Sequence, residues 1–263
     1  MFSNGIVANH ILGALVAPER ERLAAHLERV KMVLGTVIHE AGALQAHVYF
    51  PIDCVVSLLY VLENGDTAEV AIIGNDGVVG MPIITGGSRS PHRAIVQAGG
   101  SAWRMHARDL REEFERGGSA QQMLLRYSQA LTIQIGQTAV CNRHHSLDQQ
   151  LCRWLLMSID RLAGNELSMT QDLIAHMLGV RREGVTQAAG KLQRTGAISY
   201  QRGRITVLDR THLEALSCEC YKVVKDEYSR LLPWDTTAEA NAGGGGDDAS
   251  LHEPEMVGCA RAL

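Results

Sequence analysis

The stretch Ser168–Asp209, SMTQDLIAHMLGVRREGVTQAAGKLQRTGAISYQRGRITVLD, constrains this chain more than any other. Thr170 supplies an N-cap hydroxyl, with Leu173, Ile174, Met177 and Leu178 behind it at helical spacing, and Gly179 suits a tight stop. A second helix follows with an apolar face of Val185, Ala188, Ala189 and Leu192. That spacing leaves Arg181, Arg182, Glu183, Thr186, Gln187 and Lys191 on the opposite side. Gly196 ends the helix. Ile198, Tyr200 and the run Arg204–Leu208 then alternate as strands around Arg202-Gly203, a hairpin turn. Two helices joined by a tight turn and followed by a β-hairpin read as a winged helix-turn-helix, whose partner is double-stranded DNA.

Charge agrees with that reading once it is divided by region. The whole chain of 263 residues carries a formal −4, yet residues 170–210 hold seven Lys and Arg against three acids, a net of +4. The basic charge is concentrated where phosphates would be met. Residues 233–263 hold six acids and one Arg, and with the Gly243–Gly246 run they read as a disordered acidic tail.

These motifs resemble the Crp/Fnr superfamily of bacterial transcription regulators. The resemblance rests on Thr170-Gln171-Asp172-Leu173-Ile174-Ala175, Leu178-Gly179-Val180, Arg182-Glu183, Leu192-Gln193 and Gly196 with the wing after it. CNRHHS at 141–146 and Arg153-Trp154-Leu155-Leu156 are similar to the start of the family's DNA-binding domain. It implies an α+β chain with an N-terminal double-stranded β-helix, a cyclic-nucleotide-binding-like β-roll, then a long dimerisation helix, and the winged helix-turn-helix last. The expected boundaries are 1–118 for the sensor, 119–143 for the dimer helix and hinge, 144–232 for the DNA-binding domain and 233–263 for the tail.

The remaining pattern suits this order. Residues 8–15 and 18–27 suggest short helices, and short strands are expected over Val48–Phe50, Val55–Leu62, Ala68–Ile73, Ala94–Ala98 and Ala102–His106, with Asn64-Gly65-Asp66 as a hairpin turn. Arg108–Arg116 reads as a charged helix. From Ser119 to about Asn142, Leu124, Tyr127, Leu131, Ile135 and Thr138 recur at three- and four-residue steps, close to a coiled-coil seam, and are read as a homodimer interface. A long helix packed on its own β-roll is the competing reading. Ser146 caps a helix from Leu147 to Leu162, and Thr211–Leu232 reads as one more helix.

At the DNA surface, Arg182 offers two hydrogen bonds to guanine and Glu183 accepts from a cytosine amino group. The resemblance assigns base reading to this pair and to a residue one turn on, Gln187, where many relatives carry Arg; Gln favours adenine. Thr186 joins the base-contacting set. Thr170, Gln171, Arg181, Lys191, Arg202 and Arg204 are assigned to phosphates, which position without specifying sequence. If the protein activates, RNA polymerase is a further partner.

The sensor motif departs from the family's nucleotide binders. These place a Glu after the second Gly and an Arg-Ser pair before the Ala; here Gly80-Met81 and His92-Arg93 stand at those places, a degenerate ligand pocket at most. The effector is therefore unknown and is not expected to be a cyclic nucleotide; a cyclic-nucleotide response, or a winged helix used for protein contact, are the alternatives. An iron–sulfur sensor needs four cysteines, mostly near the N-terminus, and the first here is Cys54. Isolated histidines carry no argument for haem. His144-His145 at the hinge could titrate near neutral pH, with capping or phosphate contact as alternatives. Cys218-Glu219-Cys220 is the one close thiol pair; two thiols are too few for a closed zinc site, so a structural role or a redox disulfide is read there, and neither metal nor cofactor is expected. No phosphate loop, nucleophile elbow or HExxH pair is present, so no enzyme activity is expected. Without a transmembrane or signal segment the chain is expected in the cytoplasm.

Overall fold

The computed structural model describes residues 3–232; the expected acidic tail and Cys259 lie outside the described residues. Three short helices open the chain, α1 (Ser3–Ile6), α2 (His10–Gly13) and α3 (Ala17–Ala24). Asn9 explains why they sit on the sheet that follows: fully buried, it caps α2 by accepting from Leu12 N and donates Nδ2 to Pro51 O and Gly77 O at 3.0 and 2.9 Å.

Seven strands form the sensor: β1 (Glu28–Met32), β2 (Val37–His39), β3 (His47–Pro51), β4 (Val55–Val61), β5 (Thr67–Ile73), β6 (Arg93–Ala98) and β7 (Gly100–His106). They lie in two antiparallel sheets, ordered β1-β7-β3 and β2-β6-β4-β5. This is the expected β-roll. The strands β1 and β2 escape sequence reading because β1 carries Glu, Arg and Lys at largely exposed positions, whereas β4 and β5 are rich in buried Val, Ile and Leu.

Behind the roll come α4 (Ala107–Glu115) and α5 (Ser119–His144), a helix of 26 residues and about 39 Å. The sequence predicts its length correctly but not its open face. Leu124, Tyr127, Leu131 and Thr138 are 2, 0, 8 and 8 % exposed, and Ile135 packs against the same core. Their cover is the chain itself. Gln134, fully buried beside them, accepts from Ile72 N at 2.7 Å and donates to Ile72 O and to Tyr228 Oη, so one amide joins α5 to β5 and to the C-terminal helix. A seam through side chains already covered is not available to a partner. The face that α5 leaves open runs through Leu125, Gln129, Thr132, Gly136 and Val140, again at steps of three and four.

The expected hinge is short. Helix α5 continues to His144, His145 caps it, and α6 (Leu147–Ile159) begins at once, with Ser146 and Gln149 in a reciprocal capping box. β8 (Glu166–Ser168), α7 (Gln171–Leu178), α8 (Arg182–Arg194), β9 (Ile198–Gln201) and β10 (Arg204–Val207) complete the winged helix, in a sheet ordered β8-β10-β9. Only three residues long, β8 leaves too little pattern to be read. The expected last helix is two, α9 (Arg210–Leu216) and α10 (Glu219–Leu231), because Ser217 and Cys218 are extended between them.

Sensor and DNA-binding elements share one continuous hydrophobic core. Buried polar bonds cross between them: Trp154 Nε1 donates to Glu69 Oε1 at 2.9 Å, Gln97 Nε2 to Ser158 Oγ at 2.9 Å, and Arg161 pairs with Asp76 at 2.6 Å. Such bonds between buried partners specify one docking of α6 on the sheet, since breaking either side strands a polar group.

Candidate nucleic-acid interface

Why the two helices of the reader meet as they do follows from their ends. Thr170 accepts from Leu173 N with its side chain and starts α7; Gly179 closes it in the left-handed region at φ 65°, a conformation costly for residues with a Cβ. The chain then turns through Val180 and Arg181 into α8. The apolar face of α8 is closed, with Val185, Ala188, Ala189 and Leu192 at 0–3 % exposure. Thr186 Oγ1 donates to Gln171 Oε1 at 2.7 Å, which fixes the angle between the helices from the solvent side.

Arg181, Arg182, Glu183, Thr186, Gln187 and Lys191 all lie exposed on the outer face of α8, as the spacing predicts. Arg182 and Glu183 open the helix, the end that enters a major groove in this motif. The wing tip brings Arg202 and Arg204 alongside. Arg202 and Gly203 have φ of 50° and 75°, the signature of a type I′ turn, and the register Gln201↔Arg204 closes a two-residue loop. Between α8 and the wing runs a cleft of about 470 Å³ bordered by Thr170, Gln171, Arg182, Thr186, Tyr200 and Arg202. Five of the ten candidates, Thr170, Gln171, Arg182, Thr186 and Arg202, border this one cleft.

Several of these cations rest on acids. Arg182 lies 3.5 Å from Asp172, Lys191 2.7 Å from Asp148 and Arg204 3.6 Å from Glu166. All three pairs are exposed, a setting in which an ion pair contributes about 0–1 kcal/mol. They hold the side chains loosely in place without competing strongly against a polyanion.

Residues 149–216 match the family model of the Crp-like helix-turn-helix domain. The chain carries a Crp-like DNA-binding domain. Solved structures share the fold beyond it. FixK2 from Bradyrhizobium japonicum superposes with a TM-score of 0.63 at 16 % identity, over 73 % of this chain and 98 % of its own. A CRP-family transcriptional regulator of Thermus thermophilus gives 0.60 at 17 %, over 72 % and 96 %. CLP of Xanthomonas campestris, described as a c-di-GMP-responsive global regulator, gives 0.59 at 15 %, over 74 % and 100 %. No curated protein matches the chain. The Crp-like helix-turn-helix domain thus lies in a chain whose fold is shared with these regulators. Among the described residues no helix is long and apolar enough to cross a membrane.

In the sensor the four residues of the degenerate pocket do not assemble an anion site. Met81 is 7 % exposed in the core, on a 3₁₀ turn that starts after Gly80. Arg93 gives its Nε to Glu40 at 2.7 Å, and His92 Nδ1 bonds Ser90 Oγ at 2.9 Å with its ring edge-on to Tyr60. Burial lowers the His92 pKa below its ordinary value, which disfavours the charged form a phosphate would need.

Where the end of α5 meets the start of α10 the structure changes the premise of the thiol reading. Cys218 and Cys220 are joined by Cys141 and His145 from α5, giving four donors where the sequence shows two. His144, by contrast, is exposed on the last turn of α5. The missed signal is the pairing of Cys141-x₃-His145, one helical turn, with Cys218-x-Cys220.

Proposed function

We propose that the chain binds a near-palindromic DNA operator as a homodimer, Arg182, Glu183, Thr186 and Gln187 contacting bases and Thr170, Gln171, Arg181, Lys191, Arg202 and Arg204 contacting phosphates. The observation carrying this reading is the cleft between α8 and the wing, bordered by Thr170, Gln171, Arg182, Thr186 and Arg202, with Arg181, Glu183, Gln187, Lys191 and Arg204 exposed on the same elements or the turn that enters α8. The two-fold partner packs along the open stripe of α5, where Leu125 and Val140 are 51 and 47 % exposed and Gly136 lets two helices approach closely. Two-fold symmetry then sets half-sites about one helical turn, 34–36 Å, apart. The effector is not a cyclic nucleotide: the ribose-binding carboxylate is replaced by a core methionine, and Arg93 is engaged by Glu40.

The test is sedimentation together with fluorescence anisotropy on a pool of palindromic fragments. Selection of one palindrome by a dimer, tighter than random DNA by about 10³-fold or more at physiological salt, supports the reading. A monomer at micromolar concentration, or equal affinity for all fragments, refutes it.

A further inference from the structure

Helix geometry places Cys141 and His145 on one face of α5 at its C-terminal end, since residues four apart are neighbours. The extended link at Ser217–Cys218 then brings Cys218, and Cys220 from the first turn of α10, over that face. The three sulfurs and the histidine nitrogen all lie within 4.8 Å of one another. Cys141 Sγ is 3.5 Å from Cys218 Sγ, and Cys220 Sγ is 3.5 Å from His145 Nδ1. A tetrahedral zinc with Zn–S of about 2.3 Å and Zn–N of about 2.0–2.1 Å has ligand–ligand edges of roughly 3.4–3.8 Å. The two 3.5 Å edges fit already, and the remaining ones lie within about 1 Å of the tetrahedral range.

Ordinary core packing does not explain the group, because the three cysteines form a buried cluster of their own, apart from the continuous apolar core. We propose that Cys141, His145, Cys218 and Cys220 form a closed, structural Zn(II) site that ties the end of the long helix to α10.

The surroundings suit that chemistry. His145 turns Nδ1 inward, and its Nε2 lies 3.3 Å from Glu219 Oε2, the outer carboxylate that commonly fixes a ligating imidazole. Three thiolates and one imidazole around a divalent ion leave a net −1, and Arg153, buried in α6, is a positive charge near the cluster. Soft sulfur donors in a compact four-fold set select zinc over magnesium or calcium. On binding, the thiol protons leave to solvent, so affinity rises with pH.

The experiment uses the full-length chain, purified with a reductant, stripped with chelator, and titrated with Co(II) and then Zn(II). One Co(II) per chain, with a thiolate-to-cobalt charge-transfer band and the intense visible bands of a tetrahedral ion, both removed by one equivalent of Zn(II), is expected. Cys220→Ser should lose the charge-transfer intensity of one thiolate, and Glu219→Gln, at an exposed position, should weaken zinc by about 10- to 100-fold. Cys152→Ser alters a buried cysteine outside the four and should keep the full spectrum; with Glu219→Gln it guards against a Cys220 variant that does not fold. A pale octahedral spectrum, or a charge-transfer band equally strong in Cys220→Ser, overturns the site, as does zinc affinity unmoved in Glu219→Gln together with a spectrum lost in Cys152→Ser.

Discussion

Glu69 is the buried acid on which the docking of the reader can be tested. It sits on β5, 6 % exposed, with Oε1 accepting from Trp154 of α6; among the described residues Oε2 has no hydrogen-bond partner. Burial pushes its pKa from 4.5 up to about 8, and the Ser57 and Trp154 side chains counter it only in part. The folded chain therefore keeps a proton that the unfolded chain releases. The stability attached to that proton is full below the unfolded value of 4.5 and is lost as pH rises through about 8. At about 1.4 kcal/mol per pH unit, the wild type loses about 2 kcal/mol between about pH 6 and about pH 7.5, out of a full effect on the order of 5 kcal/mol. Glu69→Gln keeps the shape and an oxygen to accept from Trp154 but has no proton to lose. Urea unfolding followed by far-UV circular dichroism at several pH values should show the variant close to wild type near pH 5 and progressively more stable above it. Curves that stay parallel across that range would refute the buried, protonated carboxyl.

Arg182→Ala should cost about 1–3 kcal/mol at one guanine of the selected operator and leave random DNA nearly unchanged, read by anisotropy competition; equal weakening on both means Arg182 does not read a base. Lys191→Ala should weaken all DNA alike and reduce the slope of log K against log salt by about 0.9, and an unchanged slope removes it from the phosphate contacts. Leu125→Glu with Val140→Glu should convert the dimer to folded monomer in sedimentation and lose operator affinity. Leu124→Ala, by contrast, should cost about 2–5 kcal/mol of stability, as a core truncation does, without that conversion.

The exposed face of α8 was legible because the helix has one apolar stripe and no other way to bury it: Val185, Ala188, Ala189 and Leu192 fix the phase, and the polar face follows by geometry. Helix α5 defeats the same method. It carries apolar residues in two phases, Leu124-Tyr127-Leu131 and Leu125-Gly136-Val140, and a period alone does not say which is covered by the β-roll of the same chain. Only the sheet decides, through contacts such as Gln134 on Ile72. The four-donor cluster was hidden for a different reason. Its halves are 77 residues apart, and the run Thr211–Leu232 reads as one helix until the break at Ser217–Cys218 turns two side chains toward Cys141.

The shared core has a consequence for how a signal could reach DNA. With Trp154 on Glu69, Ser158 on Gln97 and Arg161 on Asp76, α6 has no compliant linker to the sensor. The winged helix meets the start of the same strand, where Thr67 Oγ1 of β5 donates to His176 O at the end of α7 at 2.9 Å. Strand β5 therefore touches α5 through Ile72, α6 through Glu69 and α7 through Thr67, three elements whose relative placement sets where α8 points. Packed cores respond to such a shift by moving between discrete arrangements rather than by bending. An effector that displaces β5 by a fraction of an ångström must break or keep these buried bonds together, and the free energy it needs is that of the polar groups it strands, about 1–3 kcal/mol each.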